Sequence, residues 1–148
     1  MPDEPTIDVP LGRLAYARSG DKGDTSNIAI IARRPLYLPL LRRELTPDRI
    51  VRQLAHLVSG PAVRFEAPGV HALNFVIENA LGGGGMASLR IDPQGKAYGQ
   101  MTLEIMIATP QSWVRDLHHE KGTSEQGASA PISAAFAKKR IRPDRRMR

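Results

Sequence analysis

The residues best suited to chemistry lie in one polar stretch, residues 19–27, which reads SGDKGDTSN. It combines carboxylates, an ammonium group, hydroxyls and an amide with two glycines, Gly20 and Gly23. Glycine permits backbone angles that turn N–H groups towards a bound anion. We therefore predict a nine-residue ligand-binding loop between two strands. Its other ligand-binding members are Ser19, Asp21, Lys22 and Asn27. The alternative is an ordinary exposed turn, because such turns use the same residue types.

A second glycine-rich segment, residues 82–85, consists of four consecutive glycines. It matches neither the phosphate-binding P-loop pattern nor the dinucleotide-binding fingerprint. Close approach of the backbone to a ligand would explain such a costly sequence, so we predict binding roles for Gly82, Gly83 and Gly84. Arg90 would neutralise a phosphate or carboxylate together with Lys22. A flexible hairpin loop is the alternative interpretation.

Several kinds of site are excluded or disfavoured by residue type and spacing. The chain has no cysteine, which excludes disulfides, thiolate catalysis and cysteine-ligated metals. Its four histidines lack the spacing of a zinc site, and no metal site is predicted. No G-x-S-x-G nucleophile elbow occurs. The sequence therefore leaves the reaction type, the cofactor and the existence of catalysis open.

Charge is distributed unevenly along the 148 residues. Residues 138–148 carry seven basic side chains and one acidic side chain, and the rest of the chain is neutral. Such a tail gives at most weak, salt-dependent binding to nucleic acid. No signal peptide or membrane span is indicated, so we expect a cytoplasmic protein without a membrane partner.

The elements that must position these residues follow from periodicity and from residues that start or stop helices. Thr46, Pro47 and Asp48 are typical of a helix start, and the apolar residues that follow form one face. A shorter helix is predicted within residues 36–45, with Pro39 limiting it. Strands are predicted at residues 14–17, 28–32, 62–66, 72–81, 88–92 and 101–107.

Runs of strands with few helices predict an α+β fold, in a ferredoxin-like arrangement with a mostly antiparallel sheet covered by one or two helices. Residues 1–10 contain three prolines and are predicted to be an extended arm. Residues 11–110 would form the domain, and residues 111–148 a polar, basic and disordered tail.

Five segments carry a resemblance to a known family. They are residues 17–23 (ARSGDKG), 27–29 (NIA), 73–76 (LNFV), 80–84 (ALGGG) and 89–96 (LRIDPQGK). Over residues 11–108 the chain resembles the C-terminal ferredoxin-fold domain of the acyclic terpene utilisation protein AtuA family. The run from Arg18 to Gly23 is the most specific part of the resemblance.

The resemblance implies a domain usually fused behind a larger one, in bacteria that degrade citronellol- and geraniol-type compounds through CoA thioesters. It therefore implies an accessory or site-completing small subunit that binds a CoA-type or carboxylate ligand. Its protein partner would be a second copy or a separate AtuA-like large subunit. No catalytic residue is carried over from the family. The alternatives are a non-catalytic oligomerisation module and an RNA-binding module that uses the basic tail.

Overall fold

The computed structural model describes residues 4–125, with side chains up to His118. Residues up to Val114 form one compact unit, and a second unit begins at Arg115. The strands are β1 (Thr6–Pro10), β2 (Ala15–Lys22), β3 (Thr25–Ala32), β4 (Ala62–Ala67), β5 (Ala72–Ile77) and β6 (Met106–Pro110). The helices are α1 (Leu38–Glu44), α2 (Pro47–Gln53), α3 (Tyr98–Thr102) and α4 (Gln111–Glu125).

The strands form two antiparallel sheets. The larger sheet has the order β2-β3-β5-β4, and the smaller one pairs β1 with β6. Both outer pairs of the larger sheet, β2–β3 and β4–β5, join strands that are consecutive in the chain, while β3 and β5 pair across the insertion of α1 and α2. The predicted α+β class with a mostly antiparallel sheet is confirmed.

The larger sheet has one covered face and one open face. Side chains alternate between the two faces along each strand. Ile28, Ile30 and Phe75 point to the covered face and are fully buried, where α2 contacts β4 and β5 and α3 contacts β2 and β3. The open face is formed by Tyr16, Arg18, Gly20 and Lys22 of β2, Asn27, Ala29 and Ile31 of β3, Asn74 and Val76 of β5, and Val63 and Phe65 of β4.

Helix α2, whose start is the clearest in the sequence, begins where the sequence predicts. The Thr46 side chain accepts a hydrogen bond from the Arg49 amide at 3.2 Å, and Pro47 occupies the first turn. The Arg49 amide thus has the Thr46 hydroxyl as an acceptor in addition to the Thr46 carbonyl at 3.1 Å, as in a capped helix start. Ile50 and Leu54 are fully buried. The predicted start of this helix and the shorter helix before it, now α1, are confirmed, but α2 ends at Gln53, before Leu57 and Val58 of the predicted apolar face.

The predicted nine-residue loop is wrong. β2 continues to Lys22 and β3 begins at Thr25, so the connection is a two-residue turn at Gly23 and Asp24. Gly23 adopts a positive φ of 63°, which is accessible to glycine in such turns. Residues 19–22 are polar on both faces of the strand, so they lack the alternation that identifies a half-buried strand.

Three other strand predictions differ from the structure. The strand predicted at residues 72–81 ends at Ile77. Residues 88–92 form no strand, and their backbone is irregular, with bends at residues 90–92. Residues 101–107 divide between the end of α3 and the start of β6. Alternating apolar residues form a strand only where another strand is available for pairing. The local sequence does not show whether such a partner exists.

Both ends of the described chain contain regular structure where the sequence predicts an extended arm and a disordered tail. Thr6–Pro10 is extended, but it is paired with β6 as strand β1. Gln111–Glu125 is helical, although its polar composition predicts little order. The rest of the predicted disordered tail, residues 126–148, lies outside the described residues.

Candidate functional site

The predicted site residues of β2 are divided between the two faces of the sheet. Gly20 and Lys22 lie on the open face, with Asn27 opposite Gly20 on β3. Ser19 and Asp21 lie on the covered side and are only partly exposed. One surface ligand therefore cannot contact all five residues directly.

Ser19 links β2 to the segment before α3. Its hydroxyl donates to the Gly95 carbonyl at 2.6 Å and accepts from the Gly99 amide at 2.8 Å. Because both hydrogen-bonding capacities are used inside the protein, Ser19 has a structural role. Asp21 is also engaged, since its carboxylate lies 3.5 Å from the Lys96 ammonium.

The two glycine-rich segments meet at the tip of the β2–β3 hairpin. The Asp24 carboxylate accepts hydrogen bonds from the amides of Leu81 and Gly83, at 2.9 and 2.8 Å. Gly84 has a φ of 83°, and a methyl group on it would collide with the Gly23 carbonyl. The glycines therefore allow close contact between two parts of the backbone, and the Gly83 amide is occupied by an internal carboxylate.

Arg90 also forms internal contacts. Its Nη1 donates to the carbonyls of Leu57 and Ala80, at 2.7 and 2.9 Å, and lies 3.2 Å from the Tyr98 hydroxyl. Gly82 leaves room for this guanidinium, because a Cβ there would lie 2.9 Å from Nε. Arg90 and residues 82–84 thus hold the loop in place, and the structure does not bring Arg90 together with Lys22.

The absence of a side chain at Gly20 lets neighbouring polar side chains come close to β2 on the open face. On β2 the neighbours of Gly20 on this face are Arg18 and Lys22, each about 7 Å away along the strand, and both are exposed. The Lys96 Nζ lies 3.2 Å, and the Asn27 Oδ1 3.6 Å, from the place where a Cβ would stand. We call the surface formed by Arg18, Gly20, Lys22, Asn27 and Lys96 the glycine gap.

The electrostatics of the glycine gap favour an anion. Three cationic side chains border it, and one of them, Lys96, is paired with the Asp21 carboxylate 3.5 Å away. On the neighbouring strand the Asn27 amide donates to the Asn74 side chain at 3.4 Å, which leaves Asn27 hydrogen-bonding groups for a ligand. The arrangement can bind and neutralise a carboxylate or phosphate.

Sequence reasoning missed Arg18, Asp24 and Lys96. Arg18, Gly20 and Lys22 alternate along the chain, so the recognition of a strand here would have placed them on one face. Asp24 precedes Leu81 by 57 residues in the chain, and no local pattern announces their contact. The same holds for Lys96, which reaches Gly20 from a distant turn.

The described part of the chain offers neither a metal site of clustered side chains nor a membrane-spanning helix. Residues 4–118 contain no group of three or more histidine, aspartate or glutamate side chains placed to hold a metal ion. No helix among the described residues has the length and apolar character to cross a membrane.

Comparison with known families gives one match. The family model of the AtuA ferredoxin-like domain matches residues 9–108, which span β2 to β5, α1 to α3 and the glycine gap. No curated protein and no solved structure shows a significant match to the chain. The match agrees with the resemblance carried by residues 17–23 and 80–84. The chain belongs to the AtuA ferredoxin-like domain family.

Proposed function

We propose that the chain is an accessory, site-completing subunit of carboxylate or acyl-CoA breakdown in a bacterial cytoplasm. In this proposal the glycine gap receives the anionic part of the substrate, and a larger partner supplies the catalytic groups. The observation that carries the proposal is the placement of Arg18, Lys22 and Lys96 around a strand position without a side chain.

The chemistry of the gap suits a phosphate or carboxylate at the protein surface. Exposed ion pairs each contribute roughly 0.2–1 kcal/mol, so three cations acting together would give weak binding. Such an affinity is appropriate for a subunit that adds charge to a site completed by another chain. Membership of the AtuA ferredoxin-like domain family supports a role beside a larger domain.

In this proposal the ligand binds at Gly20 on β2 and not at the glycine-rich residues 82–84. The amides of Leu81 and Gly83 are satisfied by Asp24, and Nη1 of Arg90 is satisfied by carbonyl groups. A ligand at residues 82–84 would have to displace these contacts. A ligand at Gly20 meets exposed cationic side chains instead.

The proposal is tested by calorimetric titration of the full chain with coenzyme A and, separately, with citronellate. Gly20→Val puts a residue that suits a strand at this position and changes no charged residue, although its Cβ would push aside the Lys96 ammonium, which lies 3.2 Å from that place. We expect this variant to lose most of the binding. The matched control is Ala67→Val, an exposed position on β4 of the same sheet.

Circular dichroism of both variants checks that the sheet is retained. Equal affinity of Gly20→Val and wild type would remove the glycine gap from the site. Absence of binding to either compound by the wild-type chain would contradict an independent anion site.

A further inference from the structure

We propose that the loop of residues 86–91 is a dimer interface, in which Leu89 of each copy enters an apolar cavity of the other. This inference is independent of the glycine gap. Its starting point is the exposure of three large apolar side chains: Met86, Leu89 and Ile91 have relative exposures of 105%, 103% and 105%. An apolar group of this kind on a folded surface is typical of an interaction site.

The backbone of this loop is fixed although its apolar side chains are exposed. The Ser88 amide donates to the Gly84 carbonyl at 2.8 Å, and Arg90 is bound to the carbonyls of Leu57 and Ala80. After the loop, the two oxygens of Asp92 accept from the amides of Lys96 and Ala97, both at 2.9 Å. The backbone is therefore held on both sides of Leu89 and Ile91, which lowers the entropic cost of association.

A cavity of about 440 Å³ adjoins the end of the loop, at Arg90 and Ile91. Ile91 forms one wall, and Leu57, Tyr98 and Met101 form others. The volume is within the range of pockets that hold a ligand or several side-chain groups. Its lining also includes His56, Arg90 and Asp92, so groups able to carry either charge surround an apolar interior.

A second copy of the chain is the occupant that this surface favours. A partner must offer an apolar side chain that enters the cavity and an apolar cavity that receives Leu89. The surface of this chain carries both, since Leu89 and the cavity are neighbours. A two-fold axis between them makes the two insertions equivalent, as in the commonest type of homodimer. The same axis can bring Arg90 of one copy near Asp92 of the other, which gives complementary charge.

The first test is sedimentation equilibrium of the full chain at concentrations up to roughly 0.2 mM, which detects association of micromolar strength. We expect the wild type to have the mass of two chains and Leu89→Ser/Ile91→Ser to have the mass of one. The control is Val63→Ser/Phe65→Ser, which changes two apolar side chains of the open face that are 53% and 55% exposed. It should remain dimeric.

The second test uses the absence of natural cysteines. Chains carrying Leu89→Cys are mixed with chains carrying Met101→Cys under mild oxidation, and the linked species is measured by non-reducing electrophoresis. We expect efficient linkage in this mixture. Val63→Cys in place of Leu89→Cys should give only background linkage.

Three results would overturn the dimer. They are a monomeric wild type, a dimer unaffected by Leu89→Ser/Ile91→Ser, and a dimer lost only in the Val63→Ser/Phe65→Ser control. Thermal unfolding separates loss of association from loss of folding. Leu89 and Ile91 bury no surface within one chain, so their substitution should leave the fold of the monomer intact.

Discussion

The Asp24 carboxylate accepts a hydrogen bond of 2.8 Å from the Gly83 amide, which lies 59 residues later in the chain. The glycine-rich loop thus has the anion-binding geometry that its sequence indicates, but the anion belongs to the same protein. The contact joins the tip of the β2–β3 hairpin to the segment that leads to α3. Because this contact uses the Gly83 amide, that amide is not free to bind a ligand.

We predict that Asp24→Ala lowers the free energy of unfolding by about 1–3 kcal/mol, because the amides of Leu81 and Gly83 lose their acceptor. Urea denaturation measures the change. Asp24→Asn keeps one carbonyl oxygen and should lose less than half as much. Equal stability of Asp24→Ala and wild type would show that the hairpin tip does not hold the loop.

We predict that Gly84→Ala lowers the free energy of unfolding by about 2–4 kcal/mol. The added methyl group would collide with the Gly23 carbonyl, and the φ of 83° is strained for alanine. Gly85→Ala is the matched control, since nothing lies within 4 Å of its Cβ position. Similar thermal unfolding of the two variants would contradict the close contact between Gly23 and Gly84.

We predict that Arg90→Lys reduces stability by about 1–3 kcal/mol, since lysine cannot reproduce the guanidinium contacts with the Leu57 and Ala80 carbonyls. Binding of coenzyme A should not change, because Arg90 lies outside the glycine gap. Denaturation and calorimetry on the same sample distinguish the two roles. A variant that keeps its stability but binds coenzyme A more weakly would show that Arg90 contacts the ligand.

We predict that Lys22→Glu weakens binding of coenzyme A at least fivefold, because it replaces attraction with repulsion at the glycine gap. Binding by the wild type should also fall as sodium chloride is raised, since exposed charges are screened. Arg43→Glu is the control, because the Arg43 side chain is 70% exposed on α1 and lies outside the gap. An equal effect of both substitutions would indicate a response to net charge alone.

We predict a pH-dependent contribution from Glu4. Hydrogen bonds from the Ser112 side chain and then from its backbone amide lower the pKa of this carboxyl group. A pKa lowered by folding gives stability that is present above the unfolded pKa and is lost as pH falls through the folded pKa. Glu4→Gln should therefore be less stable than wild type at neutral pH and equal to it near roughly pH 2. A difference that persists in acid would contradict this origin.

Much of the fold can be predicted from local sequence. Thr46 and Pro47 give the start of α2 because capping depends on neighbouring residues. Apolar and β-branched residues predict strands at residues 62–66 and 72–81, and the structure has strands at Ala62–Ala67 and Ala72–Ile77. These elements follow from short-range chemistry.

The errors arise where distant parts of the chain decide the structure. Residues 19–22 form a strand by pairing with residues 25–28 of β3, and Ser19 is also held by the Gly95 carbonyl and the Gly99 amide, about 80 positions away. Leu89 and Ile91 alternate as in a strand, but no neighbouring strand pairs with them. The candidate site was predicted only in part. Gly20, Lys22 and Asn27 are close together in the chain on one hairpin and were predicted, whereas Lys96 comes from outside the hairpin and was not.

The pairing of β1 with β6 places Thr6 directly opposite Pro110. Partners in an antiparallel pair have Cα atoms about 5 Å apart, so the chain enters and leaves the domain at almost the same point. Such a domain could be carried as an insertion within a loop of another protein, or circularly permuted, without a long linker.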